Sequence, residues 1–191
     1  MYPQNIESLK SFLEDLRYRF HRRAETRLDP VQFLYAYPDR EDREIVALVT
    51  SSLAFGAVEQ IIRAVDGLLS RFPAPPAVFC QQPKRVIARH MEGFRYRFVD
   101  HTEVAELLSA VGNIRRRYGS LCESFLRHIR ADDATVESAL QQFILDLRAV
   151  GGIRDNYLLP LPFRGSACKR LNLFLRWMVR KDNVDPGGWQ G

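Results

Sequence analysis

The residue best placed to do chemistry is a lysine near the C-terminus, in the stretch "RGSACKRLNLFLRWMVR". Gly165 and Ser166 read as the start of a helix, which puts Lys169 inside its first turns. The N-terminal end of a helix carries positive partial charge and disfavours a cation. An amine held there either grips an anion or is kept partly neutral, and a neutral amine is a nucleophile. On a helical wheel Leu171, Phe174, Leu175 and Met178 form an apolar stripe. Lys169, Arg176 and Arg180 share an arc on the opposite side, flanked by Asn172 and Leu173. Such a stripe is self-repelling unless something negative lies along it. A phosphate backbone fits, with the amides of Gly165 and Ser166 as further donors. Arg164 and Arg170 join Gly165, Ser166, Arg176 and Arg180 as the expected phosphate contacts. A plain solvated face would carry the same charges.

An amine of this kind suits Schiff-base chemistry at a sugar carbon. It attacks C1′ as a damaged base leaves, and the resulting imine promotes strand cleavage. The reaction also needs a carboxylate to stabilise positive charge on the sugar and to assist proton transfer. The target base must first leave the stack.

Composition is compatible with a nucleic-acid partner without requiring one. The net charge is +5, and of the 28 basic residues only Lys10, Lys84, Lys169 and Lys181 are lysines. Arginine's planar fork suits phosphate, although a GC-rich genome would give the same bias. Cys80, Cys122 and Cys168 are odd in number and widely spaced, and His21, His90, His101 and His128 are scattered. Neither set has metal-ligand spacing, so no metal and no cofactor is expected. No stretch is apolar enough to span a bilayer, and "MYPQNIESLKSF" lacks the order of a signal peptide. A cytoplasmic protein with no membrane partner is expected.

The elements that must position Lys169 are helices. Ile6, Leu9, Leu13, Leu16 and Phe20 recur at helical steps. Asp29-Pro30 caps a short helix through Tyr35. Acidic residues 39–44 start the next helix, which runs to Leu53, and Gly56 bends or ends it. A helix over roughly 57–71 follows, and the prolines of "FPAPPAVF" then mark a hinge near residues 73–76. "PKRVIARHM" reads as a short helix and "FRYRF" as extended or irregular. Thr102 is expected to cap a helix ended by Gly119, Ser120 to begin one reaching Arg130, and Thr135 to cap one reaching Ala149. "IRDNYLLPLPFRG" reads as a loop, and "NVDPGGWQG" trails off in turn-forming residues. Trp177 and Trp189 read as packing residues. No β-hairpin is expected, and the fold class is all-α: a single helical domain over 1–191, with two lobes about the hinge.

The segment "LPLPFRGSACKRLNLFLRWMVRKDNVDPGGW" resembles a large bacterial family of unknown function, DUF2400, as does "DPVQFLYAYPDREDREIVALVTSSLAFGAVEQI". More distantly, loop, glycine and lysine-bearing helix are similar to the helix-hairpin-helix DNA glycosylases, above all the archaeal 8-oxoguanine glycosylases. That resemblance implies a two-lobed helix-hairpin-helix fold, damaged duplex DNA as partner, and Lys169 as nucleophile of a glycosylase/lyase. It also implies a catalytic aspartate in an "Asp-Thr-His"-like turn, expected beyond Gly191. Asp185 and Asp182 read as loop residues instead. The hairpin departs from the glycosylase pattern, since Leu161-Pro162-Phe163-Arg164-Gly165 keeps one glycine of two. Leu53-Ala54-Phe55-Gly56 stands where many relatives carry a pocket glutamine. Two alternatives stand beside the enzyme: a non-enzymatic DNA-binding protein on the same scaffold, and a helical domain whose basic face meets an acidic partner.

Overall fold

Nine successive residues of one helix, Glu44 to Ser52, are all buried. A helix apolar on one stripe needs one covered face, whereas one buried all round must sit at the centre of other helices. That helix is α2 (Arg40–Ser52), and the rest of the chain is arranged around it. The structure, a computed structural model, describes residues 5–162 and 166–189. Before α2 come α1 (Ile6–Phe20) and two 3-10 turns, Arg23–Leu28 and Pro30–Ala36. After it come α3 (Val58–Leu69), α4 (Pro76–Phe79), α5 (Lys84–Met91) and a hairpin of β1 (Arg95–Tyr96) and β2 (Val99–Asp100). The chain continues through α6 (His101–Tyr118), α7 (Leu121–Leu126), α8 (Glu137–Gly151) and α9 (Lys169–Val179). Helix makes up 64% of the protein and strand 3%, so the fold is all-α.

Helix α2 packs against α4, α7, α9 and the second 3-10 turn, while α6 packs against α5, α7 and α8. One apolar cluster runs from Val31 through to Met178. The proline stretch expected as a hinge leads into α4, whose Phe79 is fully buried. Its Ala77 amide donates to Asp42 Oδ1 of α2 at 2.7 Å. Helix α1 differs from the rest, since none of its residues is buried.

Several boundaries differ from the sequence reading for local reasons. Asp100, not Thr102, caps α6: its carboxylate accepts from the amides of Thr102 (2.8 Å) and Glu103 (3.2 Å), and the Glu103 carboxylate accepts from the Asp100 amide. "FRYRF" forms an antiparallel hairpin, with Arg95 opposite Asp100 and Tyr96 opposite Val99. Two residues per strand are too few to register as alternation. Helix α7 ends at Leu126, four residues short of the expected end, and Val136 rather than Thr135 stands at the cap of α8.

The tail does not trail off. Lys181 bridges to Pro186, the Trp189 amide donates to the Met178 carbonyl at 2.9 Å, and the Tyr35 hydroxyl donates to the Val184 carbonyl. Trp189 packs on Phe174 and Phe125, with ring centroids 5.2 and 5.7 Å away. Its indole N–H donates to Glu44 Oε2 at 3.1 Å.

Candidate functional site

Helix α9 begins at Lys169 itself, later than the sequence suggests, because Cys168 breaks the helical path. Cys168 has φ of 45°, in the left-handed region that a side chain other than glycine's rarely occupies. The Ser166 hydroxyl accepts from the Cys168 amide at 3.1 Å and tightens the turn. Among the described residues no side chain caps the first turn of α9, which leaves its leading amides without an intrahelical acceptor.

Those amides border a cleft of about 680 Å³. The start of α9 supplies Ser166, Lys169 and Arg170; the preceding loop supplies Asp155 and Tyr157; Glu103 comes from α6 and Arg148 from α8. The Lys169 side chain is exposed and lines the cleft. Among the described residues no carboxylate pairs with it. Arg148 builds the floor: it donates to the Leu159 carbonyl through Nε at 3.1 Å and to the Arg154 carbonyl at 3.2 Å, and it pairs with Asp155 at 3.4 Å.

Arg170 has a different task. It donates to the Ser52 carbonyl at 2.7 Å and to the Tyr157 carbonyl at 2.6 Å. The first contact sets a cation on the C-terminal end of α2, where the helix dipole favours it. The guanidinium also lies over the rings of Tyr157 (4.2 Å) and Phe55 (5.3 Å). Burial lowers its pKa from the ordinary arginine value.

The remaining cations of the expected stripe lie at the other end of the helix. Arg176 Nε meets Asp185 Oδ2 at 3.1 Å, and Arg180 Nε meets the same oxygen at 3.4 Å. Arg180 also pairs with Asp182. Asp185 is fully buried. Arg176 lies seven residues beyond Lys169, about 10 Å along the axis. The described structure thus brings Ser166, Lys169 and Arg170 to one cleft and joins Arg176 and Arg180 to carboxylates elsewhere; Arg164 and Gly165 lie outside the described residues.

An aromatic cluster beside the cleft escaped the sequence reading. Phe55 is its centre, with ring centroids 5.0 Å from Tyr96, 5.4 Å from Phe98 and 5.1 Å from Tyr157. The cluster's members come from the turn after α2, the β1–β2 hairpin and the loop before α9, so no single stretch of the sequence signals it.

No curated protein and no solved structure shows significant similarity to this chain. Residues 29–191 match the family model described as a protein of unknown function (DUF2400), and the chain belongs to that family.

Proposed function

We propose that the protein binds DNA in the cleft at the start of α9, and that Lys169 is the nucleophile of a base-excision glycosylase/lyase. One observation carries the reading: among the described residues no carboxylate pairs with the Lys169 amine, which stands at a helix start without a side-chain cap, in a cleft of about 680 Å³. The leading amides of α9 and Ser166 would hold a phosphate, and Arg170 would brace that wall. In the reaction, the Lys169 amine forms a bond to C1′ as the C1′–N bond of the damaged base breaks. The base leaves with the bonding electrons and takes up the proton that the amine sheds; the C1′–O4′ bond then opens, its electrons and a proton from solvent going to O4′, to yield the protonated imine. Loss of a C2′ proton then expels the 3′ phosphate. Glu103 and Asp155 are the carboxylates in the same cleft. Both Glu103 oxygens already accept backbone amides, those of Tyr157 (3.4 Å) and Asp100 (3.3 Å).

Borohydride trapping on duplexes with an abasic or oxidised site tests this. The wild-type protein is expected to form a covalent adduct, and Lys169→Ala to form none. An adduct that survives in Lys169→Ala, or none from the wild type, ends the catalytic reading.

A second reading, DNA binding without chemistry, has its own support. Asp185 is spent on Arg176 and Arg180 at the far end of α9 and does not serve the cleft. That protein would bind DNA in a salt-sensitive way, each phosphate contact adding roughly 0.9 to the salt slope, and form no adduct.

A further inference from the structure

A two-residue hairpin turn usually carries Asn-Gly or a similar pair, because its central positions demand positive φ. The β1–β2 turn carries Arg97 and Phe98, with Arg97 at φ of 54°. A left-handed residue other than glycine is strained, and here the strain falls on Arg97, next to the Phe98 ring at the tip. Phe98 is 58% exposed there and Tyr157 45% exposed. Their centroids are 4.5 Å apart with the rings at 89°. Phe55 lies under both, near-parallel to Phe98 at 21°. The base of this ridge is fixed from two sides: the Tyr96 hydroxyl donates to the Phe55 carbonyl, and Arg170 lies over Phe55 and Tyr157.

The ridge separates two basic recesses. On one side is the Lys169 cleft, bordered by Tyr157. On the other is a recess of about 420 Å³ lined by Arg63, Arg95, Arg97 and Tyr96. Among the described residues no carboxylate pairs with Arg63, Arg95 or Arg97. Arg97 packs over Gly56, where a Cβ would lie only 2.7 Å from its Nη1. Exposed rings between unpaired cations match one ligand chemistry, a chain of flat faces joined by phosphates. Base stacking on aromatic side chains is available only where bases are unpaired.

We propose that the Phe98–Tyr157 ridge stacks the unpaired bases of a single DNA strand, whose phosphates pass from the Arg63–Arg95–Arg97 recess to the Lys169 cleft. The proposal rests on the DNA-binding reading of that cleft and extends it to an unpaired strand.

Anisotropy of a labelled oligo(dT), a matched duplex and an oligo(rU) at low salt tests it in the full chain. Wild type is expected to bind oligo(dT) more tightly than the duplex and at least as tightly as oligo(rU). Phe98→Ala should weaken oligo(dT) binding on the order of tenfold, with little change for the duplex. Phe98→Trp should restore the affinity and show quenched tryptophan emission on binding. Phe98 is an exposed turn residue, so these variants leave the core intact. Unchanged oligo(dT) affinity in Phe98→Ala overturns the ridge and leaves cleft binding standing. Equal loss for strand and duplex also overturns it, as does tighter binding of the RNA. Absence of all binding by wild type removes the underlying DNA reading as well.

Discussion

At the residue scale, the decisive fact about α9 is which of its cations meet carboxylates. Periodicity separates the apolar stripe from the charged one correctly, because both lie on one helix. It cannot show that the tail folds back to set Asp182 and Asp185 against Arg176 and Arg180, since that partner comes from a turn, which has no period. The uncovered Lys169 is therefore legible as a position, and its isolation from the other two cations is not. Asp182 bears the pH consequence. Burial alone would raise its pKa, but the amides of Asp185 and Val184, with Arg180 and His21, hold the carboxyl below the usual range. A depressed acid stabilises the fold above its unfolded pKa of about 3.9, and the contribution is lost as pH falls through the folded value. Acid titration followed by tryptophan fluorescence should therefore show Asp182→Asn to be less stable at neutral pH. Below about pH 4 its loss of stability should be shallower than that of the wild type.

At the scale of elements, helix identity is legible because apolar spacing is dense, whereas contacts between helices are not. Gly112, inside α6, gives no signal in the sequence beyond weakening a helix. In the structure its missing Cβ would fall 1.8 Å from the Cys80 carbonyl oxygen at the end of α4. The bare Cα is what lets α6 lie against that turn, and the obstacle is backbone, which cannot rotate aside. Gly67 of α3 is the opposite case, since a Cβ there meets nothing within 4 Å. Both changes to alanine gain about 0.5–1 kcal/mol of helix propensity. Gly67→Ala should keep that gain in chemical denaturation. Gly112→Ala should lose it to overpacking, for a net destabilisation on the order of 1–3 kcal/mol. Equal midpoints for the two variants would contradict the close α4–α6 approach.

For the whole molecule, the sequence reveals an all-α chain but not its closure, because Glu44 and Trp189 are linked through space across almost the full family match. Glu44 is a carboxylate at the centre of the helical core, accepting from the amides of Leu121 (2.9 Å) and Cys122 (3.3 Å) at the start of α7 and from Trp189. Burial raises its pKa, and these three donors together with the charge of Arg115 pull it back in part. A raised acid gives a stability contribution that is complete below the unfolded pKa of about 4.3 and is lost as pH rises through the folded value. Trp189→Phe keeps a ring against Phe174 and Phe125 while deleting the indole N–H, so the ionised carboxylate loses one donor and the neutral acid loses less. The variant should be destabilised by about 1–3 kcal/mol near pH 7–8, with a smaller deficit near pH 5. Measuring the difference from wild type at each pH removes the opposite slope from Asp182, which both proteins share. A deficit that stays constant across that range would mean that the indole holds the tail by packing alone, and that the Glu44 carboxylate does not couple the chain's last residues to its central helix.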